Sequence, residues 1–317
     1  MVSVLVAGCG SIGKRHARIL RELGVSDLRA CDPSEAQRES LRAAAPGVKL
    51  CASYGSALEE RPDAVFVCTP PAMHVPMASE AIRAGAHVFC EKPLSDSTEG
   101  LDALQALAAE RGRKVMVGLC FRYHEGLVRA KRLLDSGRVG RLVSFRALMG
   151  EPLPEVRPDY RTLFTSETSG AFDLTHEIDL AVWFAARPVR RVACVSGAYS
   201  DIGIRAPDVA EILVDFADRC VASVHLDFFQ TPRRRQTELL GTKGVITVEF
   251  ARWERCTVSV FDGAWSHEEL ATDRDDMFRA EDREFLDAVT GDRAVSCTIR
   301  EARKSVEIAA AAQGQFQ

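Results

Sequence analysis

The sequence predicts an α/β protein in which an N-terminal doubly wound parallel sheet precedes a C-terminal α+β domain built on an open, mainly antiparallel or mixed sheet. Short β-rich runs alternate with helix-like segments through the first 118 residues, as in sheets covered by helices on both faces. From residue 191 to about 260, strand-like runs follow one another without helices between them, which favours antiparallel or mixed pairing. Because single cores stop growing at roughly 250–300 residues, we expect two domains, 1–118 and 119–317.

The composition indicates a globular protein without a nucleic-acid or membrane partner. The chain is 46% hydrophobic and 27% charged, with a formal net charge of −4, so it has no positive field for nucleic acid or an anionic membrane. No apolar run approaches the roughly 20 residues that span a bilayer. The start, MVSVLVAGCG, lacks the basic flank and cleavage site of a signal peptide. We therefore expect a cytoplasmic protein.

The ten cysteines favour neither disulfides nor a metal site. No pair has CxxC spacing. Several cysteines lie in or beside apolar runs, namely Cys31, Cys51, Cys68, Cys90 and Cys120. Cysteines in such runs are typically small buried hydrophobes in a reducing compartment. We expect no bound metal.

The first strand-like run, Val2–Ala7, leads into a glycine pattern and then an amphipathic helix pattern. Gly8 would permit a tight turn, Gly10 the close approach of a pyrophosphate, and Gly13 the packing of helix on strand. Free N–H groups and the positive dipole at the helix start would bind the phosphates. The spacing is that of a Rossmann dinucleotide-binding turn, although a glycine-rich turn without a ligand can share it. The predicted cofactor-binding residues here are Gly8, Gly10, Ser11, Ile12 and Gly13.

Asp32 follows the second strand-like run, Leu28–Cys31. A carboxylate at this point can accept hydrogen bonds from the adenosine ribose and repel a 2′-phosphate, which favours NAD over NADP. Arg38 is near enough in sequence to accommodate a 2′-phosphate, so NADP remains possible. Asp32 could also be a turn or capping residue before Pro33, or serve both purposes.

Two later strand-like runs are each followed by a segment placed where a doubly wound fold presents ligands. After Ala64–Cys68 come three predicted cofactor-binding residues, Thr69, Pro70 and His74, and after His87–Cys90 comes Glu91-Lys92-Pro93. Proline after a strand is commonly a stop signal, and lysines are commonly solvated. Lys92, however, lies between a buried run and a proline that restricts the backbone, which would aim it into the cleft. Apolar walls and a cationic ring would lower its pKa and suit it to proton transfer. The remaining predicted elements of this half are a strand at Val115–Gly118 and helices around Ser34–Ala45, Val75–Ala84 and Ser97–Arg111.

The pattern changes after Gly118. CFRYHEGLVRAKRLLDSGRVG predicts a loop carrying Arg122, followed by a helix to about Ser136, and a strand begins at Ser144–Leu148. The stretch Gly150–Ser169 is rich in proline, charge and aromatic residues, so we interpret it as a substrate loop. Its candidate substrate-binding residues are Arg157, Tyr160 and Arg161.

The segment SGAFDLTHEIDLAVWFAA predicts one helix. Asp173 and His176 would then be neighbours three residues apart on one face. A carboxylate partner could orient the imidazole and raise its basicity for acid–base catalysis. The same pair could equally form a surface capping interaction. Two further helices are expected around Met277–Val289 and Thr298–Gln313.

Taken together, these motifs resemble the Gfo/Idh/MocA family (glucose–fructose oxidoreductase, inositol dehydrogenase and rhizopine catabolism proteins). The resemblance spans nearly the whole chain, through GCGSIGKRH, TPPAMHVPMASEAIRAGAHVFCEKPLS, FRYHEGLVRAKRLLDSGRVG, the histidine segment above and ELLGTKGVITV. It implies a Rossmann domain, then an α/β domain whose open sheet often builds homodimers or homotetramers. It also implies nicotinamide-dependent oxidation or reduction of a sugar or cyclitol carbinol, with NAD or NADP as cofactor.

The resemblance further implies that Lys92 is the catalytic lysine and His176 the second acid–base group, with Glu91 and Pro93 shaping the cofactor cleft. The substrate-binding set would comprise Lys92, Arg122, Tyr160, Asp173 and His176. Two positions depart from the family pattern: Phe172 stands four residues before the histidine, where inositol-dehydrogenase-like members often carry aspartate, and Cys120 stands where many carry asparagine. The Asp173–His176 spacing is more similar to a subgroup acting on amino or nucleotide-linked sugars. The alternatives are an imine or linear-tetrapyrrole reductase, and a non-catalytic dinucleotide-sensing regulator.

Overall fold

The computed structural model describes residues 2–165 and 168–314. The chain divides into two compact units: the first comprises Met1–Cys120 and Asp275–Val306, and the second Phe121–Arg274 and Glu307–Gln317. The first break lies two residues past the predicted one. Residues 275–306, however, belong to the first unit, whereas the sequence placed them in the second domain. Within residues 2–165 and 168–314, none of the helices combines the length and apolarity that crossing a bilayer requires.

The first unit contains a six-stranded parallel sheet in the order β3-β2-β1-β4-β5-β6, the doubly wound arrangement that the sequence predicts. Strands β1, β4 and β6 consist almost entirely of buried apolar residues, because helices cover both faces of the sheet. The strands are β1 Ser3–Ala7, β2 Asp27–Cys31, β3 Lys49–Cys51, β4 Ala64–Val67, β5 His87–Glu91 and β6 Val115–Gly118. The helices are α1 Ser11–Glu22, α2 Glu35–Ala44, α3 Tyr54–Glu59, α4 His74–Ala84 and α5 Leu101–Glu110.

The second unit contains an eight-stranded mixed sheet in the order β14-β13-β12-β11-β7-β10-β9-β8. All neighbouring pairs are antiparallel except β7 with β10. The strands are β7 Leu142–Gly150, β8 Val189–Gly197, β9 Val209–Phe216, β10 Cys220–Asp227, β11 Arg234–Gly241, β12 Val245–Glu249, β13 Arg255–Phe261 and β14 Trp265–Ala271. The helices are α6 Glu125–Asp135, α7 Leu153–Val156, α8 Tyr160–Leu163 and α9 His176–Ala185. The predicted fold class is therefore confirmed for both sheets.

Two C-terminal helices, α10 Arg274–Thr290 and α11 Ile299–Gln313, complete the described chain. Phe285 of α10 makes edge contacts with Phe66 and Phe89, whose rings stack at 4.6 Å. The backbone N–H of Val117 donates to the carbonyl of Cys297 at 2.8 Å. These contacts place α10 and the segment after it in the core of the first unit. A domain boundary predicted from local sequence patterns cannot detect such contacts, because the partners lie far apart in the chain.

Candidate cofactor and catalytic site

The glycine turn after β1 has the geometry that the sequence predicts. Gly8 has φ +97°, and a Cβ built on it would lie 2.6 Å from the carbonyl oxygen of Cys68. A Cβ on Gly13 would overlap the Gly8 carbonyl oxygen, whereas one on Gly10 would meet none of the described atoms within 4 Å. The first and third glycines thus permit backbone packing, while the second faces open space. In the described chain no side chain caps α1 and no acidic residue lies in its first turn, so its first N–H groups can donate to an anionic ligand.

Asp32 connects the glycine turn to the segment after β2. One carboxylate oxygen accepts the Cys9 backbone N–H at 2.9 Å, and the other accepts the Ser34 N–H at 2.8 Å. Asp32 is therefore a turn residue, while Ser34 caps α2, and each carboxylate oxygen retains acceptor capacity for a hydroxyl. The Nη1 group of Arg38 donates to the backbone carbonyls of Asp32 and Pro33 at 2.6 and 3.0 Å.

His74 joins the segments that follow β4 and β5. Its ring is 1% exposed. Nε2 lies 2.8 Å from the Thr69 carbonyl and Nδ1 lies 2.8 Å from the Pro93 carbonyl. Both ring nitrogens are thus engaged by backbone. The His74 ring therefore links the two segments that contain predicted ligand-binding residues, Pro70 among them. Its two nitrogens bond to backbone carbonyls instead of facing a cofactor.

Lys92 directly follows β5, at the carboxyl edge of the parallel sheet. Its backbone N–H donates to Oε2 of Glu91 at 3.0 Å. Glu91 is 5% exposed, and Oε1 faces Nε2 of His16 at 2.9 Å. His16 lies in the GCGSIGKRH segment, where the local sequence pattern predicts no role for it.

His16 is the centre of a buried ionisable cluster, defined as His16, Glu91, Glu281 and Asp282. Its Nδ1 lies 2.8 Å from Oδ1 of Asp282, and its ring contacts the rings of Phe66, Phe89 and Phe278. His16, Glu281 and Asp282 are each 0% exposed. Among the described residues, neither carboxyl oxygen of Glu281 has a hydrogen-bond partner.

The two acidic residues of the cluster on α10 could have been suspected from sequence. Phe278, Glu281, Asp282 and Phe285 lie within a helical spacing that would place them on one face. A buried polar pair inside such an apolar stripe is unusual, so it marks a position that requires a partner. The partner itself, on α1, was not identifiable from local sequence.

The environment shifts the pKa values of these groups in opposing ways. Burial alone would lower the pKa of His16, but the charge of Asp282 and the hydrogen bonds to Asp282 and Glu91 raise it well above its ordinary value. Burial and the nearby charge of Glu91 raise the pKa of Glu281 well above its ordinary range. Burial likewise raises the pKa of Asp282, against the opposing effect of His16.

In the second unit, the predicted single helix around His176 is wrong. A 3₁₀ turn covers Gly170–Asp173, Leu174 has the non-helical torsions φ −77° and ψ 49°, and α9 begins at His176. Gly170, at φ +57°, packs against the backbone of Pro207 at the start of the 3₁₀ turn. Asp173 and His176 therefore do not share a helix face, and Asp173 is exposed.

His176 stands at the end of a stacked column of side chains. Its ring lies 4.2 Å from that of Phe121 at an interplanar angle of 15°. The guanidinium of Arg235 lies 4.3 Å from the centroid of the Phe121 ring. Arg235 also donates to both carboxylate oxygens of Glu177 at 2.7 and 3.2 Å. The imidazole is thus packed against an aromatic surface that a buried ion pair supports.

Two predicted substrate-binding residues have their polar groups engaged within the unit. Arg122 is 8% exposed and donates to both oxygens of Asp179 at 2.9 and 2.7 Å. The hydroxyl of Tyr160 donates to the Ile202 carbonyl at 2.7 Å. Both side chains therefore stabilise the second unit through these bonds, whereas the sequence predicts that they contact the substrate directly. Residues 166–167 of the predicted substrate loop lie outside the described residues.

Residues 2–119 match the sequence profile described as the GFO/IDH/MocA oxidoreductase family with an NAD-binding Rossmann fold, and residues 127–247 match the GFO/IDH/MocA C-terminal domain. The chain belongs to this family.

Named relatives and solved structures agree with the family. A dTDP-3,4-didehydro-2,6-dideoxy-alpha-D-glucose 3-reductase of Saccharopolyspora spinosa is 30% identical over 79% of this chain and 75% of its own. The myo-inositol dehydrogenase Hyg17 of Streptomyces leeuwenhoekii is 29% identical over 71% of this chain and 66% of its own. The crystal structure of GenD2 from gentamicin A biosynthesis, in complex with NAD, superposes with a TM-score of 0.84 at 27% identity, covering 99% of this chain and 93% of that one.

Proposed function

We propose that this family member is an NAD-dependent dehydrogenase or reductase acting on a secondary carbinol of a sugar, an amino or nucleotide-linked sugar, or a cyclitol. The relatives support this substrate range, since one is named for an inositol and another for a nucleotide-linked deoxysugar. They do not support an imine or tetrapyrrole reductase or a non-catalytic regulator.

The position of Lys92 carries the proposal. It follows β5 at the carboxyl edge of the sheet, where doubly wound folds bind ligands. The buried carboxylate of Glu91 holds its backbone N–H. The glycine turn after β1 fits a dinucleotide, because Gly10 faces open space at the start of α1. When bound, NAD supplies the group that accepts or donates a hydride.

We assign proton transfer at the substrate hydroxyl to Lys92 and His176, both of which can act as general acid or base. His176 is suited to this role by the packing of its ring on Phe121, which restricts its orientation. Asp173 is assigned a substrate contact, because it is exposed and lies in the turn before α9. Arg122 and Tyr160 are assigned an indirect role, since their polar groups already bond to Asp179 and Ile202.

Two observations favour NAD over NADP. The carboxylate of Asp32 keeps acceptor capacity beside the glycine turn and would repel a 2′-phosphate. Arg38, the residue that could have offset that repulsion, donates from Nη1 to two backbone carbonyls.

The test is a panel of cyclitols, sugars and nucleotide sugars, followed by NADH absorbance, with wild-type protein and Lys92→Met. General acid–base groups contribute about 10²–10⁴-fold to rate, so Lys92→Met should lose that much kcat while its Kd for NAD changes little. Lys49→Met is the matched control, since Lys49 is exposed and pairs with Asp27 in the same unit. Wild-type-like turnover by Lys92→Met would exclude Lys92 from the reaction.

We also propose that the protein forms a homodimer or homotetramer through the open face of its eight-stranded sheet. Val195, Leu213 and Val221 are exposed by 62%, 57% and 50%. Leu213 and Val221 each lie between two buried residues on β9 and β10, and Val195 precedes the buried Ser196 on β8. Leu213→Glu should shift the mass measured by light scattering towards the monomer, whereas Val156→Glu, a change at an exposed residue outside the sheet, should not. We propose a cytoplasmic location, because all ten cysteines are free thiols.

A further inference from the structure

The buried ionisable cluster poses a charge problem. Three carboxyl groups and one imidazole are buried together, and the imidazole contacts three phenylalanine rings. Fully ionised, they would carry two uncompensated negative charges. Burying such charge is costly unless protons or a cation neutralise it.

The hydrogen-bond geometry and the pKa shifts together indicate where two protons reside. Both nitrogens of His16 lie at hydrogen-bond distance from carboxylate oxygens, Nδ1 from Asp282 and Nε2 from Glu91. When Asp282 and Glu91 are ionised they only accept, so both nitrogens then donate and the ring is an imidazolium, in keeping with its raised pKa. Glu281 places an oxygen within 4.8 Å of the facing atoms of His16 and Glu91 yet has no partner among the described residues. Burial and the charge of Glu91 raise the pKa of Glu281 well above its ordinary range, which favours the neutral acid.

The same residue types could in principle hold a metal ion, since His16, Glu91 and Glu281 offer three ligand-type atoms. A metal-bound imidazole must direct a lone pair at the ion. In this structure both His16 nitrogens instead face acceptors at 2.8 and 2.9 Å. The geometry favours a proton network over a metal centre.

This network ends at the proposed catalytic lysine. Glu91 uses Oε1 to accept from His16 and Oε2 to accept from the backbone N–H of Lys92. A rotation of the Glu91 carboxylate would break both bonds, so the hydrogen bond to His16 holds that carboxylate where it accepts the Lys92 N–H. Asp282, on α10, sets the ring orientation of His16 from the other side.

We propose that Asp282, His16 and Glu91 form a linear positioning chain that fixes the Lys92 peptide for catalysis. Glu281 lies beside this chain and is not a link in it. The proposal rests on the assignment of Lys92 as an acid–base residue. It makes His16 and Asp282 positioning residues that act through Glu91, on reaction geometry rather than on cofactor binding.

The variants His16→Gln and Asp282→Asn test the chain from its centre and its far end. Displacing a reacting group by about 1 Å can cost 10²-fold in rate, so each should lower kcat by about 10- to 100-fold. The KM for substrate and the Kd for NAD should stay within about twofold of wild type. The pH profile of kcat should also move in both variants, because the environment of Lys92 changes. A purely structural role would lower the thermal midpoint without moving that profile.

Two matched controls should leave kcat and its pH profile unchanged. His87→Gln removes an imidazole from the opposite end of the same strand, β5. Glu281→Gln replaces the neutral acid by an amide of the same shape. Activity of Lys92→Met would overturn the proposed function, whereas inactive Lys92→Met together with wild-type kinetics in folded His16→Gln and Asp282→Asn would overturn the positioning chain alone. Stoichiometric divalent metal in the purified protein, lost in Glu281→Gln, would also overturn it.

Discussion

Two buried histidines, one in each unit, have pKa values shifted in opposite directions by the charged groups beside them. His16 lies between Asp282 and Glu91, and these acids raise its pKa well above the ordinary value despite burial. His124 is 2% exposed, and burial together with the charge of Arg235 lowers its pKa to about 4. The same side chain is thus an imidazolium in the first unit and a neutral imidazole in the second.

The difference extends to how each unit neutralises buried carboxylates. In the second unit, Asp179 and Glu177 each have their own guanidinium, from Arg122 and Arg235, in two-point hydrogen bonds. In the first unit, three carboxyl groups share one imidazole. Guanidinium charge is permanent, so the second unit's buried charges are fixed, whereas those of the first unit depend on bound protons.

The largest expected effect comes from breaking a fixed pair. Arg235→Met leaves Glu177 as a buried unpaired charge, and it should destabilise the second unit by about 3–5 kcal/mol. The double variant Arg235→Met/Glu177→Leu should recover most of that loss, because it removes the stranded carboxylate. The measurement is the midpoint of urea unfolding.

An exposed pair provides the control for that experiment. Arg146 pairs with Glu238 at 3.0 Å with a side chain 59% exposed, so Arg146→Met should cost about 0–1 kcal/mol. Equal losses from Arg235→Met and Arg146→Met would contradict the contrast between buried and exposed pairs.

The lowered pKa of His124 should make the folded protein less stable at acidic pH. The unfolded chain has a histidine pKa of about 6.5, above the value of about 4 for folded His124. Between these values the unfolded state binds more protons, so stability should fall by about 3 kcal/mol as pH drops from 6.5 to 4. His124→Phe should remove this part of the acid loss in urea midpoints measured across that range. A wild-type-like pH dependence in the variant would show that another group is responsible.

The raised pKa of Glu281 should have the opposite effect, so that stability falls as pH rises. Because the pKa of Glu281 is raised on folding, its contribution to stability is present below about 4.5, the unfolded value, and is lost as pH rises through the folded value. Glu281→Gln cannot lose a proton. Its free energy of unfolding should therefore match that of wild type near pH 4.5. As pH rises, the variant should become progressively more stable than wild type, by at most about 1.4 kcal/mol per pH unit. A constant difference across pH would show that Glu281 is ionised in the folded protein.

The smallest effect concerns a histidine on the open sheet face. His225 is hydrogen-bonded to Asp227 and Glu211, which raise its pKa to about 9 against partial desolvation. Its stabilisation should be complete below about 6.5 and lost as pH rises towards 9. Solvent screening limits the effect to about 1 kcal/mol, since the side chain is 27% exposed. Thermal midpoints of wild type and His225→Gln should approach each other as pH rises through 9, and an unchanged gap would contradict this prediction.

Much of the first unit was predictable because its signals are local. A buried apolar strand, the spacing of Gly8, Gly10 and Gly13, and the segment Glu91-Lys92-Pro93 are each contiguous in sequence and placed by the rules of parallel sheets. Short elements were less visible. The strand Lys49–Cys51 and the helix Tyr54–Glu59 have too few residues for a periodic pattern to develop.

The candidate site of the second unit was harder to predict for a different reason. The apolar spacing around His176 is helical, but the chain leaves helical torsions at Leu174, and α9 starts at the histidine itself. Arg122 and Tyr160 were expected to face a ligand. Their partners, Asp179 and Ile202, lie far along the chain, and no local pattern reveals such pairings.

The strands of the parallel sheet, the phosphate-binding turn and the lysine after β5 thus follow from residues close together in the chain, because periodicity and turn chemistry act over a few positions. The charge of His16, the proton on Glu281 and the inclusion of α10 in the first unit do not. They depend on which carboxylates the folded chain brings within about 3 Å of one imidazole, because charge interactions in a buried site are set by distance and desolvation rather than by sequence separation.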